Sequence, residues 1–219
     1  MIKKIIISYM NEIKKIVEEI IKYLEKNIKI NEEKMILDLI KKNRLDKKSL
    51  NNLKPNLPPK YKSLMSGFSS ISSKKIIPLK KSILDSYSKL NWKTDNGEYY
   101  EKNSNIGKDY FNGNMNAELI GPNHGFFKSN KLKLGIFLLE ENIFYKDHKH
   151  AAPELYLILT SGTNWRFGDK KWVEMESGSI IYNEPFKPHA IKVGKIPFIS
   201  IWCWPYNVDQ KCLIVDNLK

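Results

Sequence analysis

The stretch Tyr145-Lys146-Asp147-His148-Lys149-His150-Ala151-Ala152-Pro153-Glu154-Leu155-Tyr156 decides how the rest of this 219-residue chain is read. In extended backbone, successive side chains point to opposite faces, so His148 and His150, two apart, project to one side. Glu154 and Tyr156 are likewise two apart and open the next apolar run. On neighbouring strands, two imidazole nitrogens and a carboxylate oxygen would converge. His189, in the turn-bearing segment Glu184-Pro185-Phe186-Lys187-Pro188-His189, can add a third nitrogen from a later strand. Three imidazoles and a carboxylate suit one divalent ion (Zn2+, Fe2+, Mn2+, Co2+ or Ni2+), with water or substrate at the remaining positions. The expected ligands are therefore His148, His150, Glu154 and His189. The fourth histidine, His124, falls in the turn Gly121-Pro122-Asn123-His124-Gly125 and reads as a loop residue.

Working outward, the flanking sequence has the rhythm of an all-β unit. Short apolar runs at 117–120, 132–139, 155–160, 172–175, 179–182, 190–193 and 198–204 alternate with turn residues. The turns are Gly121-Pro122-Asn123, Ser161-Gly162, Gly168-Asp169, Ser177-Gly178 and Gly194. Many short strands at this spacing predict an antiparallel sandwich or barrel over 113–219. Trp202 and Trp204 share one strand face, with Cys203 on the other.

Residues 1–112 read differently. Ile5, Tyr9, Ile13, Ile16, Ile20, Tyr23 and Leu24 recur at three- and four-residue intervals, the period of an amphipathic helix. A second helix is expected from Glu32 to Lys42, with Asn31 as its N-cap. Pro55, Pro58 and Pro59 mark a connector, the Ser- and Gly-rich 63–73 a loop, and Ile83–Leu90 a further helical or mixed segment. Asp95-Asn96-Gly97 is a turn signal. The helices are expected to form an extension that packs on the barrel or contributes to a dimer contact, leaving the chain a monomer or homodimer.

Composition narrows the function classes. The net charge of +13 comes almost wholly from lysine spread along the chain, with only Arg44 and Arg166 as arginine. Nucleic-acid sites favour clustered basic residues with arginine forks, so nucleic acid is not an expected partner. No apolar run approaches the ~20 residues that cross a bilayer, and Glu12, Lys14 and Lys15 interrupt the apolar opening. A cytoplasmic location without membrane association is the expectation. Cys203 and Cys212 are too few for a disulfide framework and read as reduced thiols.

The pattern H-x-H-x3-E with a later histidine resembles the metal motifs of the cupin superfamily, which implies a double-stranded β-helix, or jelly-roll, barrel. Ser161 stands where the usual motif has glycine, Asn142 replaces another, and eleven positions separate Gly178 from His189. Turns absorb such differences. Leu119-Ile120-Gly121-Pro122, Leu134-Gly135-Ile136, the two tyrosines bracketing H-x-H-x3-E, and Trp202-Cys203-Trp204 are together similar to the cupin-type dimethylsulfoniopropionate (DMSP) lyases. The resemblance covers about the last hundred residues. It implies a carbon–sulfur lyase that cleaves this small-molecule substrate to dimethyl sulfide and acrylate. It also implies a metal held by His150, Glu154 and His189, with His148 or Tyr156 completing the set.

That chemistry assigns further roles. Elimination needs a base for the proton beside the carboxylate; Tyr156, on the strand face of Glu154, is the candidate, and Tyr145 is the second. A sulfonium has no hydrogen-bond donor, so aromatic faces are its receptor, and Trp204 and Trp202 are the candidates. Trp92, Tyr110, Trp165 and Tyr182 are weaker candidates, most of them read as core. Two rival readings remain: another cupin metalloenzyme, such as an Fe(II) dioxygenase or a sugar-acid isomerase, or a non-catalytic sensory cupin regulator with a helix-turn-helix over 32–53.

Overall fold

The computed structural model describes residues 2–51 and 53–215, the side chains of residues 2–8 excepted. Five α-helices come first: α1 (Ile2–Asn27), α2 (Asn31–Lys42), α3 (Tyr61–Ser70), α4 (Ile77–Ser86) and α5 (Lys108–Gly113). Eleven strands follow: β1 (Asn114–Gly121), β2 (Phe127–Lys128), β3 (Leu132–Leu139), β4 (Phe144–Lys149), β5 (Glu154–Ile158) and β6 (Thr163–Phe167), then β7 (Val173–Met175), β8 (Ile180–Asn183), β9 (His189–Val193), β10 (Phe198–Pro205) and β11 (Leu213–Ile214). The strands form a six-stranded sheet, ordered β2-β1-β3-β10-β5-β8, and a five-stranded sheet, ordered β11-β4-β9-β6-β7. This is the mainly β, cupin-type barrel with N-terminal helices that the motif implied.

Helix periodicity did its work in α1. Ile13, Ile16, Val17, Ile20 and Leu24 are all fully buried, as a stripe at three- and four-residue spacing demands. The side chain of Ile5 lies outside the described residues. The Tyr23 hydroxyl donates to the Gly178 carbonyl at 2.7 Å, tying the helix to a turn of the barrel. Helix α2 begins at Asn31 rather than after it, so the expected cap is a helical residue. Ile30 takes the N-cap position and has no polar side chain to offer. Glu33 instead reaches back, its carboxylate accepting from the backbone N–H of Lys29 at 2.7 Å.

The Ser- and Gly-rich stretch expected as a loop is the helix α3. Leu64 and Phe68 are buried four residues apart on one face, and the serine hydroxyls bond within the helix, Ser69 to the Met65 carbonyl and Ser70 to that of Gly67. Gly67 is there for closeness: a Cβ at this position would lie 2.6 Å from Ile199 Cδ1. Packing thus overrode weak local propensity. The turn at Asp95 forms as read, Gly97 adopting φ 92° while Asp95 Oδ1 accepts from the Gly97 and Glu98 N–H groups. Among the described residues of 32–53 there is one α-helix and a three-residue 3-10 turn, Lys47–Ser49, and no helix-turn-helix.

The six-stranded sheet is buried on both faces. One face joins the helices in a mostly aliphatic cluster that includes Leu134, Ile136, Leu155, Leu157, Ile199 and Ile201. The other faces the barrel interior and joins an aromatic cluster with Tyr145, Tyr156, Trp165, Trp202 and Trp204. Strand parity decides which residue goes where, and the site lies on the aromatic side.

Candidate metal centre and its cavity

His148 and His189 are direct cross-strand partners in the antiparallel β4–β9 ladder, which shifts register between Tyr145 and His148. His150 follows one residue beyond the end of β4, so the two motif histidines do not share one regular strand. Glu154 opens β5, where it is paired with Asn183 of β8. These elements bring the four expected ligands together. The nitrogens of His148, His150 and His189 lie within 4.8 Å of one another. Glu154 Oε2 is 3.3 Å from Nε2 of both His150 and His189.

Each imidazole is anchored from behind. The Nδ1–H groups of His148, His150 and His189 donate to the carbonyls of Lys146 (2.9 Å), Ala152 (2.7 Å) and Lys187 (3.1 Å). Such bonds fix the tautomer and leave the Nε2 lone pair free for an ion. Nε2 of His150 and of His189 is buried without a hydrogen-bond partner. Two lone pairs aimed toward a carboxylate oxygen are repulsive unless a cation sits among them, so these residues fit a divalent ion. Both carboxylate oxygens of Glu154 are also tethered: Oε1 accepts from Trp204 Nε1 at 2.7 Å, and Oε2 from Asn183 Nδ2 at 3.0 Å.

Electrostatics follow from this packing. Burial would raise the Glu154 pKa, but the facing His150 and His189 hold it well below 4.5. Burial works against protonated His150, yet the Glu154 charge raises its pKa above 6.5. Burial, then His189 and His150, push His148 well below that value. Tyr156 is raised well above 10, first by burial and then by the Glu154 charge; Tyr145 is raised well above 10 too, first by burial and then by Tyr110.

Beside the imidazoles lies a small cavity of about 40 Å³. Its walls carry all the expected substrate residues: Tyr145, Tyr156, Trp202 and Trp204, with His148 and Glu154. The two tryptophans both turn inward while Cys203 packs on the helix side. Trp204 also stacks near His150, ring centroids 4.6 Å apart, so it supports two expected ligands as well as lining the cavity. Tyr145 stacks on His148 at 4.1 Å.

Sequence reasoning missed part of the wall. Asn183 could have been found as the polar end of an apolar strand opposite Glu154. Tyr99 and Tyr100 arrive from the segment before β1, and no local pattern places them over a barrel that begins later. Tyr110, one of the weaker candidates, is both buried and part of this wall. Asn116 Oδ1 and Trp202 Nε1, on residues that also line the cavity, are buried without partners. Cys212, a free buried thiol, lines it too. His124 stays in its loop, 3.7 Å from Glu98.

Comparison with known proteins bears on the fold and the family. DMSP lyase DddQ of Ruegeria pomeroyi is 24% identical over 106 residues, 48% of this chain and 52% of that protein. A glucose-6-phosphate isomerase of Pyrococcus furiosus is 30% identical over a shorter 79 residues, 32% of this chain and 42% of that protein. The chain thus spans about half the length of these curated relatives. Among solved structures, that of the DMSP lyases RdDddP and RnDddQII superposes with a TM-score of 0.72, covering 95% of this chain and 100% of the other at 16% identity. DddQ of Ruegeria pomeroyi DSS-3 gives 0.64 at 18% identity, covering 76% and 81%. At these identities the superpositions speak for the fold. Residues 69–200, more than half the chain, match the family described as dimethylsulfoniopropionate lyase, and this chain belongs to that family.

Proposed function

We propose that this protein is a metal-dependent carbon–sulfur lyase that splits dimethylsulfoniopropionate into dimethyl sulfide and acrylate. One observation carries the reading: anchored imidazoles, two of them with unpaired Nε2 atoms, adjoin an aromatic cavity whose walls carry the phenols of Tyr145 and Tyr156 among five tyrosines. A divalent ion bound by His148, His150, Glu154 and His189 would supply Lewis acidity toward the substrate carboxylate. Helices 1–112 are read as an extension packed on this barrel, not as a separate domain.

Tyr156 is assigned as the base. It removes the proton α to the carboxylate, the C–H electron pair becomes the carbon–carbon double bond, and the C–S pair leaves on sulfur. Dimethyl sulfide departs neutral, so no general acid is needed. Burial and the Glu154 charge keep the unliganded phenol protonated, so it works only when positive charge enters the site. The sulfonium brings one such charge itself. Tyr145, across the cavity, is assigned to the carboxylate or to sharing the proton.

The sulfonium is assigned to the tryptophan pair. Lys133 Nζ already sits 4.9 Å from the Tyr99 centroid and 5.5 Å from that of Trp204, so these rings accept cations. Among the described residues no cation lies over Trp202, which makes it the uncommitted ring. The test is gas chromatography of the headspace over metal-loaded protein and DMSP. Dimethyl sulfide and acrylate should appear in equal amounts; no dimethyl sulfide with any of the five metals overturns the assignment. Oxygen uptake instead would favour a dioxygenase, and sugar-phosphate isomerisation would favour the Pyrococcus relative.

A further inference from the structure

The cavity is backed by a second buried carboxyl group that the elimination above does not use. Asp95 is fully buried. Its Oδ1 accepts from the Gly97 and Glu98 N–H groups, both at 2.9 Å, and its Oδ2 accepts from the Tyr110 hydroxyl at 2.9 Å. Asn114 clamps the same corner: its Oδ1 accepts from Asp95 N at 2.7 Å, and its Nδ2 donates to the carbonyls of Asp95 (3.0 Å) and Tyr110 (2.8 Å). With three donors around it, the Asp95 carboxyl acts as acceptor throughout, so the Tyr110 proton points at Oδ2.

That bond fixes one ring of a stack leading to the imidazoles. Tyr110 lies on Tyr145 with centroids 4.7 Å apart and planes 28° from parallel. Tyr145 lies on His148 at 4.1 Å and 19°. Tyr100 meets Tyr110 edge-on at 5.8 Å, and its hydroxyl contacts that of Tyr145.

We propose that Asp95 is a positioning residue for the lyase reaction: by holding the Tyr110 hydroxyl it fixes the Tyr110–Tyr145–His148 stack, and so aims the Tyr145 hydroxyl in the cavity. The inference rests on the lyase reading given above. A purely structural Asp95 would do no more than close the turn at 95–98. The two roles separate because Asp95→Asn keeps an oxygen for the turn N–H groups but turns a donor toward Tyr110, whose hydroxyl must reverse. Tyr110→Phe breaks the same bond and leaves the turn untouched.

The experiment measures kcat and KM for dimethyl sulfide release from DMSP by the metal-loaded full chain. It compares the unaltered protein with Asp95→Asn, Tyr110→Phe, Tyr145→Phe and the double variants that combine Tyr145→Phe with each of the others. Asp95→Asn and Tyr110→Phe should each lower kcat by roughly ten- to a hundredfold, the scale of a misplaced reacting group, with KM and metal content unchanged. In the Tyr145→Phe background either change should add almost nothing, since the path it acts through is gone. Unchanged kcat, or losses that multiply in the double variants, would overturn the inference while leaving the lyase reading intact. Should Asp95→Asn fail to fold, the Tyr110→Phe cycle decides alone. An unaltered protein that releases no dimethyl sulfide refutes the lyase reading, and the inference falls with it.

Discussion

The two faces of the six-stranded sheet are made from the same strands and do opposite jobs. Strand β10 sends Ile199, Ile201 and Cys203 to the helices, and Phe198, Trp202 and Trp204 to the barrel interior. Strand β5 sends Leu155 and Leu157 one way, Glu154 and Tyr156 the other. The aliphatic face has few polar atoms to satisfy and holds the helices mainly by burial, with the Tyr23–Gly178 hydrogen bond beside it. The interior face accepts carboxylates, imidazoles and phenols in a place where each must find a partner or an ion. Stability and chemistry are thus separated by one peptide unit, not by distance along the chain.

The sharpest way to break that contrast is at the interior ligands. His150→Ala or Glu154→Ala should abolish metal retention and lyase activity together while the chain stays folded; metal analysis beside the dimethyl sulfide assay checks this, and full occupancy in both variants would refute the ligand set. Tyr156→Phe should retain the metal yet lose about 10²–10⁴-fold in kcat, the usual contribution of a positioned base. On the other face, Ile201→Ala should cost about 2–5 kcal/mol in denaturant unfolding with little change in kcat per folded molecule. A large kcat effect there would erase the division of labour. Trp204→Phe keeps a ring beside His150 but removes the N–H that holds Glu154; metal affinity should fall roughly 10- to 100-fold in competition titrations, as for other groups that orient a ligand.

The smallest expected effect is a pH slope in the metal-free protein. Burial, with His189 and His150, depresses the His148 pKa well below 6.5. The unfolded chain therefore takes up this proton first as pH falls. The contribution to stability is complete above about pH 6.5 and is lost as pH drops below it. His150, whose pKa is raised, adds the opposite slope, so the decline is read as the difference between the unaltered protein and His148→Gln in denaturant melts on either side of that value.

How much of this was legible beforehand depends on whether a feature is local. The alternation in Trp202-Cys203-Trp204 and the two-residue spacings around Glu154 encode which face a side chain takes, and the barrel honours both. The run 63–73 misled because serine and glycine disfavour a helix in isolation, whereas Phe68 and the close approach of Gly67 to Ile199 are set by a strand more than a hundred residues away. The tyrosines at 99 and 100 were invisible for the same reason. Their placement is a property of how the segment before β1 folds back, and no period in the sequence records it.

The pairing of His148 directly across from His189 has a consequence for how the protein matures. Because strand side chains alternate, sliding this ladder by a single residue would turn one imidazole out of the barrel. A nascent chain that ends before residue 189 lacks one of the four expected ligands altogether. Ion capture would then be a closing event, able to happen only after the strands have zipped in the correct alignment, and a loaded centre would certify that they had.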